Sequence, residues 1–281
     1  MERRFIDSEI VNEFQSYLKT EEKSGATIEK YIRDIKAFAA YLGDRELTKE
    51  VVIGYKQQLL DSGYAIRSIN SMLASINALF SYLGQTDLRV KSLKLQQDVF
   101  CPEERELTRA EYERLCRTAL KRHNERLALV LQTICSTGIR ISELSYITAE
   151  AVRQGKAVVR MKGKTRTVFI LKDLQKKLLR YMSAQGIEQG SVFITRSGKP
   201  LSRSNIWREM KSLCEEANVN PQKVFPHNLR HLFARIFYGL EKDIARLADV
   251  LGHSSVNTTR IYIISTGTEH RRCMERMHLI I

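Results

Sequence analysis

The 281-residue chain carries 46 Lys and Arg against 32 Asp and Glu, which gives a formal net charge of +14. Apolar residues make up 43% of it, enough to bury the core of one large domain or two ordinary ones. No apolar run approaches the roughly 20 residues of a membrane span, and no secretory signal opens the sequence, so we expect a cytoplasmic protein with no membrane partner. The five cysteines are scattered without a Cys-x-x-Cys pair, which argues against zinc and against a disulfide framework.

The positive charge is concentrated in the C-terminal two thirds of the chain. Residues 1–97 hold 14 basic and 13 acidic side chains, which leaves 32 basic against 19 acidic for residues 98–281. A region with this excess indicates a polyanionic partner, most often nucleic acid. Charge alone would fit a merely basic protein as well.

The N-terminal region has apolar residues at helical spacing, broken by short polar segments. The spacing and capping residues predict four helices. Their markers are Phe14, Tyr17 and Leu18 on the first, Thr27 and Gly43 at the ends of the second, Thr48 and Gly63 at the ends of the third, and residues 66–83 for the fourth. We expect a helical domain over residues 1–90, and an aperiodic linker over residues 91–106 that leads to a second domain over residues 107–281.

The second domain is predicted to be mostly helical around a small sheet. Thr108 and Glu111 form a capping box at its first helix, and an apolar helix follows from about Asn124 to Cys135. Helical patterns resume from Ser202 to the end. Short β signals lie at 157–161, 167–170 and 191–194, with a tight basic turn, Lys162-Gly163-Lys164, between the first two. The expected fold class is therefore mainly α with a small antiparallel β-sheet.

Four basic clusters hold the side chains that could carry chemistry. They are Arg140 after a helix break, Lys162 with Lys164 in the turn, His227 with Arg230 and His231, and His253 nine residues before Tyr262. The three residues of the third cluster share one helix face through their spacing of three and four. A zinc pair of histidines is an alternative there, but Asn228 stands where a metalloprotease needs its glutamate.

Together these groups fit the chemistry of a phosphodiester better than any metal-assisted reaction. Arginine forks and a histidine match the negative charge that gathers on a phosphate under attack. A tyrosine phenol, with a pKa of about 10, needs a base or a strongly positive site to become a nucleophile. A lysine in a turn could protonate the leaving oxygen. No metal is expected, because the set includes no carboxylate pair for metal-assisted phosphoryl transfer. No nucleotide cofactor is expected either, because a phosphotyrosine ester itself keeps the bond energy for rejoining.

The order and context of these motifs resemble the tyrosine recombinases, or phage-integrase family. The motifs are Thr-Gly-Ile-Arg140-Ile-Ser-Glu-Leu, Lys162, His227-x-Leu-Arg230-His, Leu-Gly-His253-Ser and Thr-Thr-x-x-Tyr262. The resemblance extends over nearly the whole chain, since the N-terminal region is similar to the family's helical core-binding (SAM-like) domain. It implies a C-terminal catalytic domain, and a site-specific recombinase that cleaves and rejoins DNA through a 3′-phosphotyrosyl intermediate.

The resemblance also implies a role for each matched residue. Tyr262 is the implied nucleophile; Arg140, Arg230 and His253 bind the scissile phosphate; His227 accepts the tyrosine proton; and Lys162 is the general acid. Glu143 is expected to support the site, or to be an ordinary helix-start carboxylate. His231 is expected to pack structurally. The turn is one residue shorter than the family's common form, which leaves Lys164 as an alternative to Lys162.

The family also implies the partners. We expect double-stranded DNA with a specific recombination site, association with the nucleoid, and a tetramer assembled on two sites. The apolar end, Met274 to Ile281, is expected either to dock on a neighbouring subunit or to pack on its own domain. Integration, excision, inversion and resolution all stay open, and so do two rivals. These are a non-catalytic DNA-binding regulator or accessory protein with the same fold, and a relaxing topoisomerase of the same chemistry.

Overall fold

A computed structural model describes residues 6–94, 105–161, 163–195, 197–262 and 274–277. The chain divides into two compact units, Met1–Gln97 and Asp98–Ile281. The fold is mainly helical with a two-stranded antiparallel sheet, as the sequence predicts. Within the described ranges, no helix combines the length and apolar character that crossing a membrane requires.

The first unit is a bundle of four helices. They are α1 (Ser8–Thr20), α2 (Gly25–Leu42), α3 (Lys49–Asp61) and α4 (Ile66–Tyr82). The predicted cap Thr48 is confirmed, since its side chain accepts from the Val51 N–H. The prediction of Thr27 as the cap of α2 is wrong. Ser24 takes that role, because its hydroxyl accepts from the Thr27 N–H at 3.3 Å and the helix begins one turn earlier.

Among the described residues, the core of the first unit is apolar apart from two buried polar side chains, Asp34 and Ser75. Fully buried Phe38, Leu73 and Ile76 represent the side chains that α2 and α4 contribute. Asp34 is buried beside them, and its Oδ2 receives bonds from Lys30 Nζ at 2.7 Å and from Ser75 Oγ at 2.8 Å. The buried charge is therefore neutralised within the bundle, as burial of a carboxylate requires.

The second unit contains the sheet and further helices. They are α5 (Arg109–Lys121), α6 (Glu125–Thr137), α7 (Ala149–Gln154), β1 (Lys156–Met161), β2 (Lys164–Phe169), α8 (Lys172–Gln185), α9 (Arg203–Ser212), α10 (Pro226–Glu241), α11 (Ile244–Leu251) and α12 (Val256–Arg260). The capping box of Thr108 and Glu111 is confirmed at the start of α5. The sequence analysis did not predict α7 and α8.

The sheet is smaller than predicted. β1 and β2 pair antiparallel from Lys156 opposite Phe169 to Met161 opposite Lys164, which confirms the hairpin. The third predicted strand, 191–194, is wrong. Its ends make only isolated bridges, Ser191 to Thr148 and Ile194 to Pro200, so its apolar side chains fill the helical core without joining the sheet.

Candidate active site

Arg140 is presented by the loop that follows α6. The helix ends at Gly138, whose φ of +63° lies in the left-handed region that glycine adopts without strain. A Cβ at this position would lie 2.6 Å from the Phe233 ring, so only glycine fits the close packing. Arg140 comes two residues later, at the start of a short 3-10 helix, Ile141–Tyr146.

Glu143 fixes the position of Arg140 through two hydrogen bonds. Its Oε2 accepts from the Arg140 backbone N–H at 2.9 Å, and its Oε1 accepts from Arg140 Nη1 at 2.9 Å. Arg140 Nη2 donates to the Gly252 carbonyl at 3.3 Å. Burial alone would raise the pKa of Glu143, but the Arg140 N–H and the charge of Arg166 outweigh it, so the pKa lies below the ordinary value. Glu143 is therefore a buried carboxylate, which fits the supporting role better than that of a solvated helix-start residue.

Arg230 is a buried cation on α10, only 1% exposed. Its guanidinium donates to the carbonyls of Gly138 and, at 2.7 Å, Leu251, and lies 3.0 Å from His253 Nε2. Among the described residues it has no carboxylate partner, and its Nε has no hydrogen-bond partner. Burial, and then the charge of Arg140, lower the pKa of Arg230 to about 10.

His253 connects Arg230 to the helix that precedes Tyr262. Its Nδ1 lies 2.9 Å from the hydroxyl of Thr259, a fully buried residue of α12. Because a guanidinium only donates, the Nε2 that faces Arg230 must be the acceptor, and the proton lies on Nδ1. Thr259 in turn accepts the Tyr262 N–H through its carbonyl at 2.9 Å. Arg230 therefore fixes the histidine tautomer, and Thr259 bonds both the protonated Nδ1 of His253 and the backbone N–H of Tyr262.

Tyr262 lies among three histidines of its own unit. The ring is 6% exposed and stacks on His231, with centroids 4.2 Å apart and planes inclined by 21°. His227 and His253 each lie 5.2 Å from it, and Arg230 Cζ lies 5.9 Å from its centroid. The stack gives His231 the packing contact that the sequence analysis expects of it.

Desolvation, together with nearby positive charges, lowers the pKa of all three histidines. Desolvation, followed by the charges of Arg230 and Arg140, lowers the pKa of His227, although its ring stays partly open to solvent. The pKa of His231 falls to about 4, first through desolvation and then through His227 and nearby arginines. The pKa of His253 also falls to about 4, through desolvation and then Arg230. At neutral pH all three imidazoles are therefore neutral.

A cavity of about 710 Å³ opens beside this cluster. Arg140, His227 and Arg230 line one side of it, and α9 lines the other through Arg203, Trp207 and Arg208. Trp207 is half exposed there. The sequence analysis did not single out α9, because its arginines look like an ordinary solvated helix face until the fold places them opposite the cluster.

Arg166 on β2 is a second residue that the sequence analysis missed. Its Nη2 donates to Glu143 Oε2 at 2.6 Å and its Nη1 donates to the Val250 carbonyl at 2.9 Å. A signal was present in the strand. Because side chains alternate across a strand, Arg166 shares the buried face of Val168, and a charged residue there requires a partner.

The structure thus brings together Arg140, His227, Arg230, His253 and Tyr262, with Glu143 beneath Arg140. The predicted general acid Lys162 lies outside the described residues, as does most of the apolar C-terminal end. Lys164 opens β2, and its side chain is not described. The described residues contain no group of three or more potential metal-binding side chains.

One phenol grouped with two arginines and two histidines, on a two-unit helical scaffold, defines a class of protein. Residues 105–269 match the phage integrase family, and residues 11–86 match the phage integrase N-terminal SAM-like domain. The chain belongs to the phage integrase family and is a site-specific tyrosine recombinase.

Individual relatives agree with this class. The chain is 29% identical to tyrosine recombinase XerA of Thermococcus kodakarensis, over 97% of this chain and 96% of that protein. Its fold is similar to that of XerH bound to a palindromic difH substrate in a post-cleavage complex (TM-score 0.71, 18% identity, 99% of this chain and 90% of that one). It is also similar to a lambda integrase tetramer bound to a Holliday junction (TM-score 0.72, 18% identity, 90% and 76%). At these identities the two structures show a shared fold.

Proposed function

We propose that this recombinase cleaves DNA by attack of the Tyr262 hydroxyl on a phosphodiester bound by Arg140, Arg230 and His253. The P–O5′ bond breaks, a 3′-phosphotyrosyl ester forms, and a free 5′ hydroxyl leaves. In the rejoining step a 5′ hydroxyl attacks the ester and returns the phenol. The supporting observation is Arg230, a buried cation close to the phenol that has no carboxylate partner among the residues the structure describes.

The two arginines keep donors free for a phosphate. A guanidinium carries five N–H groups. Arg230 uses three of them, on two carbonyls and on His253, so within the part of the chain that the structure describes its Nε–H and one Nη1–H are available to a phosphate. Arg140 uses two, on Glu143 and Gly252. Because the carbonyls and Glu143 fix both planes in advance, the donors need little reorganisation when charge develops on the phosphate oxygens.

His227 is the proposed acceptor of the phenol proton. Its lowered pKa leaves it neutral at neutral pH, and its ring lies 5.2 Å from the Tyr262 ring. The charges that lower this pKa also stabilise a developing phenolate. After transfer, the bound phosphate would stabilise the imidazolium that forms.

Lys162 is the proposed general acid that protonates the departing O5′, with Lys164 as the alternative. The support is sequence position: Lys162 falls between the ends of β1 and β2, and Lys164 is the first residue of β2, the strand that also carries Arg166 in the Glu143 network. A turn can bring an ammonium to the leaving oxygen without disturbing the fixed arginines.

The proposed partners are duplex DNA with a specific recombination site and further copies of this chain. Residues 1–90 would form the core-binding domain and residues 107–281 the catalytic domain, joined by a linker at 91–106. The basic excess of residues 98–281 supports contacts to phosphates. Binding should then weaken with salt, with a log–log slope of about −0.9 per phosphate neutralised. The XerH–difH complex and the lambda integrase tetramer support a tetramer on two sites.

A covalent adduct tests the proposal directly. The purified chain is incubated with duplexes enriched from a random-sequence pool by binding to it, and the reaction is stopped with detergent. A protein–DNA adduct should form, and Tyr262→Phe should abolish it while DNA binding persists. Tyr238→Phe is the matched control, because Tyr238 packs against the same small apolar cluster and should leave adduct formation unchanged.

Other outcomes point to the rivals. Binding without any adduct would indicate a non-catalytic DNA-binding protein. Adduct formation on any sequence, without strand exchange between two sites, would indicate a relaxing topoisomerase. An adduct that survives in Tyr262→Phe would assign the nucleophile elsewhere.

A further inference from the structure

Arg166 is a buried arginine that touches no part of the cavity but bonds to two of the segments that build the site. Through Nη2 it binds Glu143, the carboxylate that fixes Arg140. Through Nη1 it binds the carbonyl of Val250, three residues before His253. The two phosphate-binding segments thus share one guanidinium.

Close packing around Arg166 restricts the movement of its side chain. A Cβ at Gly252 would lie 2.2 Å from Arg166 Cδ, so the Leu251–Gly252 backbone rests directly on the arginine stem. Gly252 itself has a φ of +64°, and its carbonyl oxygen accepts a hydrogen bond from Arg140 Nη2. Movement of Arg166 would therefore shift the segment that carries both an Arg140 acceptor and His253.

Burial of Arg166 costs folding free energy, and packing alone does not explain why an arginine occupies this position. Its side chain is 12% exposed, and its Nε is buried with no partner among the described residues. A buried donor without an acceptor destabilises a fold, and an apolar side chain at this strand position would avoid that cost. The charge is useful where it joins Glu143 to the Val250 carbonyl.

We infer that Arg166 is a positioning residue, which sets Arg140 through Glu143 and His253 through the Val250–Gly252 segment in one geometry. The inference rests on the proposed function, because it concerns the same phosphate site. Arg166 also belongs to β2, the strand that follows the turn with Lys162. It thereby connects the β1–β2 hairpin to both segments of the phosphate site, that of Arg140 and that of His253.

The test is the single-turnover rate of adduct formation on the enriched duplex. Arg166→Met, which keeps the length of the side chain, should lower the rate about 10- to 100-fold, the size expected for small displacements of reacting groups. The final amount of adduct and the dissociation constant for the duplex should stay within about twofold of the wild-type values. A structural defect would instead reduce the amount of adduct and leave the rate of the folded fraction unchanged.

Arg126→Met is the matched control. Arg126 is also partly buried; it donates to a carbonyl, that of Ile194, and to a carboxylate, that of Glu209, and its Nε also has no partner in the described part of the chain. It should lose similar stability without the rate defect. Arg166→Lys keeps the charge and one of the two bonds, so its rate should fall between those of wild type and Arg166→Met.

A double variant tests whether Arg166 acts through Glu143. If Arg166 acts through Glu143, the double variant with Glu143→Gln should lose less than the product of the two single losses. The inference is overturned if Arg166→Met reacts as fast as Arg126→Met, if only the amount of adduct falls, or if the two losses multiply fully. Should Arg166→Met fail to fold, a wild-type rate in Arg166→Lys would overturn it as well. An absent wild-type adduct, or one that persists in Tyr262→Phe, would instead reject the proposed function itself.

Discussion

The two units bury charge in opposite ways. In the first, Asp34 is 5% exposed and is met by the Lys30 ammonium at 2.7 Å. In the second, Arg230 is 1% exposed and is met by carbonyls and a neutral imidazole, with no carboxylate among the described residues. The first charge is balanced within the fold, and the second is not.

An unbalanced buried charge indicates a ligand of opposite sign. Burial lowers the pKa of Arg230 to about 10, which leaves it protonated at neutral pH at a cost to the fold. A phosphate that enters the cavity would supply the missing negative charge. The contrast therefore distinguishes the cluster of Asp34, which stabilises a bundle, from the cluster of Arg230, whose charge is available to bind a substrate.

Removal of the unbalanced cation should have the largest effect. Arg230→Ala should lower the rate of adduct formation by roughly 10²–10³, by analogy with the loss of one oxyanion-site donor. The physical reason is that two free donors and a buried charge disappear from the phosphate site. Single-turnover cleavage of the enriched duplex measures the rate.

Arg235 provides the matched control on the same helix. It is paired with Glu106, so its charge is balanced in the manner of Asp34. Arg235→Ala should change the rate by less than about threefold once the folded fraction is taken into account. Equal losses in both variants would mean that balance does not distinguish the two arginines, and a fully active Arg230→Ala would remove Arg230 from the mechanism.

The balanced charge should matter for stability and not for chemistry. Asp34→Ala leaves Lys30 and Ser75 without their shared acceptor, which should cost about 1–3 kcal/mol of unfolding free energy in the first unit. Calorimetry should resolve the change, while the rate of adduct formation per folded molecule stays constant. Asp61→Ala, at an exposed carboxylate bonded to Gln57, should change little. A lower rate of adduct formation in fully folded Asp34→Ala would contradict the conclusion that this charge matters for stability alone.

The sequence predicted the balanced unit and most of the site for the same reason. Helical periodicity and caps are local signals, so the four helices of the first unit and the caps Thr48 and Thr108 could be found without the fold. Gly138 and the motif residues around Arg140, Arg230 and His253 are also recognised from short stretches of sequence.

What the sequence could not predict depends on contacts between distant segments. Ser24 and Thr27 are both good caps, so residue type alone does not decide between them. Segment 191–194 has the composition of a strand, but no neighbouring strand is placed to pair with it. Arg166 is recognised only when β2, Glu143 and the Val250 carbonyl meet, since they are separated by 23 and 84 residues.

The smallest expected effect is the pH dependence of stability that the neutral histidines create. In the folded chain the pKa of His231 is lowered to about 4, by desolvation and then by His227 and the arginines that face it, Arg235 and Arg230. In the unfolded chain a histidine titrates near 6.5. Between these values the unfolded state binds more protons, so stability should rise with pH from about 4 to about 6.5 and level off above that.

His231→Phe should flatten this rise, because it removes one of the buried groups that resist protonation while it keeps an aromatic ring against Tyr262. Melting temperatures measured between pH 4 and 7 test this, with His123→Asn as the control. His123 is exposed at the end of α5 with a φ of +54°, a conformation that asparagine tolerates, and its loss should leave the slope intact. An unchanged slope in His231→Phe would mean that this imidazole is solvated in the folded protein. Its stack on Tyr262 would then not be the desolvated, neutral contact that the lowered pKa of His231 describes.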